Sequence, residues 1–229
     1  MAGDCLFHPG RIGQPVGDPG GQDDAIGPKG GDGVWRRTLR GDDARIGAPQ
    51  FGFQELAHLA EIAATVALLE KAERPFVILG GTRWTEDAVV AMCAALETWK
   101  LPVGCSFRRQ ALCDQLHSSY AGDVGIGINP KLAQRVKDAD LIIALGVRLG
   151  EMTTGGYTLL QAPRPAQKLV HIHAGPEELG RVYAADLLLQ SSMASAAKAL
   201  EALAAPTTVP WAGWAAAAHA DYEANHIAT

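Results

Sequence analysis

The sequence predicts an α/β fold, an open parallel sheet covered by helices on both faces, and three observations carry that prediction. Short runs such as PFVIL and DLIIAL are apolar at every position rather than at alternate ones, as in a strand buried on both faces. Segments with apolar residues every three to four positions, the spacing of an amphipathic helix, stand between these runs. Two of the runs end on glycine, at Gly80-Gly81 and at Gly146, as a strand does before a tight turn. Strands alternating with helices require parallel crossovers, and ligands of such sheets sit beyond the carboxyl ends of the strands.

Residues 1–50 hold 12 Gly and 5 Pro among Asp and Arg, without helical or alternating spacing. Such a composition buries too little surface to offset its ordering entropy, so disorder, or a non-native tail from an early start, is expected there. The domain is expected over residues 51–205. Leu56, Leu59, Ile62, Val66 and Leu69 mark its first helix, and PFVILGG its first strand. Thr85 is placed to cap the next helix, with Glu86 and Asp87 at its positive end and Val89, Met92, Leu96 and Trp99 as its buried stripe. LPVGCS reads as a second strand, and after a long loop Asn129 and Pro130 open a helix carrying Leu132 and Val136. DLIIALG is a third strand, KLVHIH a fourth, PEELGRVY a short helix, DLLLQ a fifth strand, and SMASAAKALEAL a closing helix with Met193, Ala197, Leu200 and Leu203 inward. Residues 206–229 read as a Thr-Pro linker followed by an Ala-rich helical stretch with Trp211 and Trp214 near its start.

Composition excludes several function classes. A formal net charge of -5 and no basic run give no electrostatic reason to expect a nucleic acid partner. The apolar runs are far shorter than the roughly 20 residues of a membrane-spanning helix, and the first residues lack a secretory pattern, so a cytoplasmic location is expected. The four cysteines, Cys5, Cys93, Cys105 and Cys113, contain no C-x-x-C pair and read as thiols rather than disulfides.

Three segments can carry ligand chemistry. Gly80 and Gly81 permit a close backbone approach beside a helix N-terminus, where phosphate can bind, although Glu86 and Asp87 would repel an anion. Arg148 follows Gly146 and Val147 at a strand end, as a phosphate clamp or as an ordinary surface arginine. Gly125 and Gly127 precede the helix opened by Asn129 and Pro130, where Lys131 opposes the helix dipole unless an anion or an acidic neighbour compensates. This last segment is no dinucleotide fingerprint, because Pro130 stands at the third glycine. His171 and His173 share a face without further metal ligands nearby, and Cys105, Cys113 and His117 lack a supporting nucleophile motif. With no G-x-S-x-G elbow present either, no catalytic residue and no metal ligand is assigned.

The order of segments resembles the central domain of the thiamine diphosphate (TPP)-dependent enzymes of the acetolactate synthase, pyruvate oxidase and benzoylformate decarboxylase type. ERPFVILGGT, HSSYAGDVGIGINPKLAQRVKDADLIIALGVRLGEMTT and KLVHIHAGPEELGRVYAADLLL carry the resemblance, in the family's order and spacing from about residue 55 to 205. It implies a Rossmann-like parallel sheet of about six strands, with residues 206–229 leading to a missing C-terminal domain. It also implies FAD or ADP contacts at Gly80, Gly81, Ser106, Gly125, Gly146, Val147 and Arg148. Two acidic contacts of flavin-binding members are replaced here by His173 and Ser192. TPP and Mg²⁺ belong to the parent enzymes, which act on 2-oxo acids, and are not expected in this chain alone. Its Gly31-Asp32-Gly33 lacks the paired asparagines that follow the family's GDG motif. The expected role is structural or nucleotide-binding and inactive alone, as a homo-oligomer or with the missing domains. The alternatives are a partner subunit of a split TPP enzyme, or an independent nucleotide-dependent enzyme of sirtuin-like fold.

Overall fold

The computed structural model describes residues 61–204, 206 and 208–225. The expectations for residues 1–50, including Gly31-Asp32-Gly33, and for Leu56 and Leu59 lie outside them.

The first helix, α1, is described over 61–69 and turns Thr65 and Leu69 inward. Strand β1 (Pro75–Leu79) follows, then α2 (Glu86–Trp99), β2 (Val103–Ser106), β3 (Tyr120–Val124), α3 (Pro130–Asp138), β4 (Leu141–Leu145) and the single turn α4 (Glu151–Thr154). Strands β5 (Lys168–His173) and β6 (Leu187–Gln190) come next, and α5 (Met193–Glu201) and α6 (Ala212–Asn225) close the chain. All six strands are parallel, in the order β3-β2-β1-β4-β5-β6. The expected Rossmann-like sheet is present, and its order reverses between β1 and β4, which makes that boundary the topological switch point.

Both faces are covered, as the unbroken apolar runs require. Val77, Leu79, Leu141, Ile143 and Leu145 point into a core shared with α1, α2 and α5. The alternate residues Phe76, Ile78, Ile142 and Ala144 point into a second core with Leu132 and Val136 of α3 and with Leu149, Leu160 and Tyr183. Capping follows the sequence: the Ala88 N–H donates to the Thr85 hydroxyl at 3.2 Å, the Lys131 N–H to Asn129 Oδ1 at 2.8 Å, and the Ser195 N–H to the Ser192 hydroxyl at 3.1 Å.

The sequence reading differs from the structure in three places. Strand β3 lies within the stretch read as one long loop, because Gly122 and Asp123 interrupt its apolar run and both residue types are depleted in strands. Helix and strand do not alternate throughout: β4 reaches β5 through the single turn α4, and β5 reaches β6 through a three-residue 3-10 turn, Pro176–Glu178. Gly180, at φ 72°, stops the helix expected over PEELGRVY. Lastly, the helical part of the segment read as a linker folds back on the domain. The Trp211 indole donates to the Trp99 carbonyl at 2.8 Å and the Trp214 indole to the Pro75 carbonyl at 3.1 Å. Trp214 and Tyr222 of α6 pack against one core and Ala218 belongs to the other, so α6 wraps the edge of the sheet at β3. A ring nitrogen of His219 lies 2.8 Å from the Tyr120 carbonyl and takes up a polar group of that edge strand.

Candidate functional site

The switch point brings five of the seven candidate residues together. Parallel pairing continues one residue past β1, where the Gly80 N–H donates to the Leu145 carbonyl at 3.0 Å. The chain then turns at Gly81, at φ 79°, and the matching turn after β4 is Gly146, at φ 70°. These two turns pack backbone against backbone: a Cβ built on Gly81 would run into the Gly146 carbonyl, and one on Gly146 would come within 2.7 Å of the Gly80 carbonyl oxygen. A Cβ on Gly80 would strike the Ser106 hydroxyl and reach within 2.8 Å of Val147 Cβ. The opposing turn alone leaves no room for a side chain at Gly81, while at Gly80 the Ser106 hydroxyl of β2 and at Gly146 the Met193 sulfur of α5 close in together with the opposing turn, and Gly80, Gly81, Ser106, Gly146 and Val147 form one closely packed floor. The amino terminus of α2 beside it is occupied by its own Thr85 cap, Glu86 and Asp87.

Gly125 and Arg148 flank the floor. Gly125 follows β3, where a Cβ would come 3.3 Å from Phe107 Cβ and 3.2 Å from the Met152 carbonyl, so the loops after β2, β3 and β4 meet there. Arg148 leaves the floor at Val147 and opens on a cavity of about 350 Å³ whose walls include Glu151, Tyr157, His171, Glu178, Arg181 and Tyr183. Arg181 Nη1 donates to Glu178 Oε1 at 3.0 Å, and Arg148 Nε forms an ion pair with the same oxygen at 3.0 Å.

His171 backs this cavity and is 3% exposed. Burial lowers its pKa from the usual 6.5, so the ring is neutral near pH 7. Its Nε2 lies 2.9 Å from the Val147 carbonyl, so Nε2 carries the proton and Nδ1 is an acceptor. His173 Nδ1 accepts the Gly175 N–H at 3.0 Å, spending the position that in the resemblance belongs to an acidic ligand contact on the local turn. Each histidine is thus committed to a backbone group. Among the described residues no group of three or more His, Cys, Asp or Glu side chains is placed to hold a metal ion. Cys93, Cys105 and Cys113 are buried thiols, and burial together with the Asp123 charge pushes Cys105 up to about 12.

Lys131, which opposes the α3 dipole, has its acidic neighbour in α6. Asp221 accepts from Lys131 Nζ at 3.2 Å and from Arg135 Nε at 2.9 Å, and Arg135 lies over the Trp214 ring at 4.9 Å. No local pattern could have found this pairing across the chain. Glu178 and Arg181 were also missed as cavity residues, although their i,i+3 spacing around Gly180 was a usable signal.

Residues 62–203 match the family model described as thiamine pyrophosphate enzyme, central domain. The acetolactate synthase isozyme 2 large subunit of Escherichia coli is 26% identical over 142 residues, which cover 62% of this chain and 25% of that protein. The acetolactate synthase large subunit of Parasynechococcus marenigrum is 27% identical over 157 residues, covering 66% and 25%. A 3D-(3,5/4)-trihydroxycyclohexane-1,2-dione hydrolase of Bacillus cereus is 26% identical over 121 residues, covering 49% and 19%. The chain spans about a quarter of the length of the first two relatives.

Proposed function

The chain belongs to the thiamine pyrophosphate enzyme central-domain family, and from that premise we propose that it is the central module of an acetolactate synthase-like enzyme acting on 2-oxo acids, holding a nucleotide such as FAD or ADP rather than performing catalysis. The observation that carries this reading is the packed floor at the switch point, Gly80, Gly81, Ser106, Gly146 and Val147, with Arg148 beside it at the mouth of a cavity. Carboxyl-end crevices at switch points are where open parallel sheets take ligands, and a guanidinium there suits a phosphate. Gly125 completes the proposed contact set from the neighbouring loop.

TPP and Mg²⁺ would be held by further domains of the parent enzyme, which the chain's share of its relatives leaves room for. Exposed Phe107, Ile126, Met152 and Tyr157 on the loops after β2, β3 and β4 support a polypeptide partner at this end of the sheet, whether those domains or a second copy. No helix among the described residues is long and apolar enough to cross a membrane, and we place the protein in the cytoplasm. Neither the sirtuin-like nor the split-enzyme alternative is favoured by a feature of the described residues. Calorimetric titration of the purified chain with FAD, ADP, NAD and TPP plus Mg²⁺ tests the reading. FAD or ADP binding alone is expected; micromolar binding of TPP would overturn the division of labour, and silence with FAD and ADP would overturn the nucleotide role.

A further inference from the structure

Glu178 sits in the cavity beside Arg148 in an arrangement unlike an ordinary surface ion pair. Its side chain is 12% exposed, whereas those of its partners Arg148 and Arg181 are 65% and 58% exposed. The anion is therefore inside and the two cations stand at the mouth. Both guanidiniums converge on a single oxygen, Oε1, at 3.0 Å, as two arginines converge on one phosphate oxygen. With Glu151 included, the charges of the cavity wall cancel, since His171 is neutral. Glu178 is carried on the turn Pro176–Glu178, which has no side-chain cap and lies between Gly175 and Gly180, the latter at φ 72°. A turn with a glycine on either side can re-aim its carboxylate without moving β5 or β6.

We propose that Glu178 is an internal anion that occupies the oxyanion position between Arg148 and Arg181, and that a phosphate-bearing ligand must displace it to bind. The inference rests on the reading of this end of the sheet as a nucleotide site and adds a regulatory element to it. Glu178 sets the affinity for the phosphate portion and turns away free inorganic anions that bring no further contacts. A ligand that also fills the rest of the cavity gains enough from those contacts to swing the carboxylate out; pyrophosphate alone does not.

The test is calorimetry at low ionic strength on the full chain, as wild type, Glu178→Gln, and Glu178→Gln combined with Arg148→Ala, each titrated with inorganic pyrophosphate and separately with ADP. Removing the competing charge is expected to tighten pyrophosphate binding by about tenfold or more, and Arg148→Ala is expected to abolish that gain. Pyrophosphate binding to Glu178→Gln that is no tighter than to wild type, including none to either, overturns the proposal. If circular dichroism shows Glu178→Gln to be unfolded, Glu178→Asp decides, because the shorter acid retreats from both arginines: a gain over wild type supports the proposal and equality overturns it. The ADP arm separates the two readings. A pyrophosphate gain without ADP binding supports the role of Glu178 while sinking the ADP reading.

Discussion

Gly81→Ala tests whether the floor of the site is a steric necessity. Alanine at φ 79° carries the left-handed backbone cost of about 1–2 kcal/mol. Its Cβ would also run into the Gly146 carbonyl, and Gly146 is held by its own N–H donating to the Ile172 carbonyl at 2.8 Å. Forcing such a contact apart costs about 1–3 kcal/mol, as overpacking does elsewhere. The expected loss is thus about 2–5 kcal/mol, a large part of the roughly 5–15 kcal/mol that holds a domain together. Gly127→Ala is the matched control, since Gly127 has φ 73° and nothing within 4 Å of a built Cβ, so only the backbone cost of about 1–2 kcal/mol applies. Urea unfolding followed by circular dichroism reads both, with an unchanged m-value required for the comparison. If Gly81→Ala costs no more than Gly127→Ala, the two turns do not press on each other and the close-packed floor is refuted.

Asp221→Ala should release α6, seen as a red shift of tryptophan fluorescence from Trp211 and Trp214, at a cost of about 1–2 kcal/mol because Arg135 loses a partner while mostly buried. Burial raises the Asp221 pKa, but the hydrogen bonds and charges of Arg135 and Lys131 outweigh it and hold the carboxyl below its usual 3.8. Its contribution is therefore complete above 3.8 and lost as the pH falls through the lower folded value, so wild type should show the same red shift in acid. Burial depresses His171 below 6.5, so the unfolded chain binds the extra proton first. Stability should fall as the pH drops below 6.5, and His171→Gln should flatten that slope in urea midpoints taken at several pH values. Cys105, pushed up to about 12, should resist iodoacetamide at pH 8 until urea unfolds the protein, and rapid labelling of the native state would contradict its burial.

Much of the fold was legible because its signals are local. Unbroken apolar runs marked β1 and β4 as central strands, and Thr85, Asn129 and Ser192 stand at the helix starts where their side chains cap. Strand β3 was illegible because edge strands tolerate Gly and Asp, and the short turns between β4, β5 and β6 because nothing in a loop's composition states whether it closes into a helix. The set of seven candidate positions was implied by the family resemblance, and five of them lie together at the switch point.

By itself the sequence determined most of the helices and strands, though not β3, and with them the two-faced burial of the strands and the family resemblance, since propensity, capping and apolar spacing act over a few residues. Tertiary structure alone decided the strand order, the packing of Gly81 on Gly146, the convergence of Arg148 and Arg181 on Glu178, and the docking of Asp221 on Lys131 and Arg135. Apart from the Arg181–Glu178 contact, which is local, these join residues far apart in the chain or strands brought side by side by crossovers. A charge or a glycine cannot show in sequence which distant partner will face it, because that partner is chosen by the packing of whole elements.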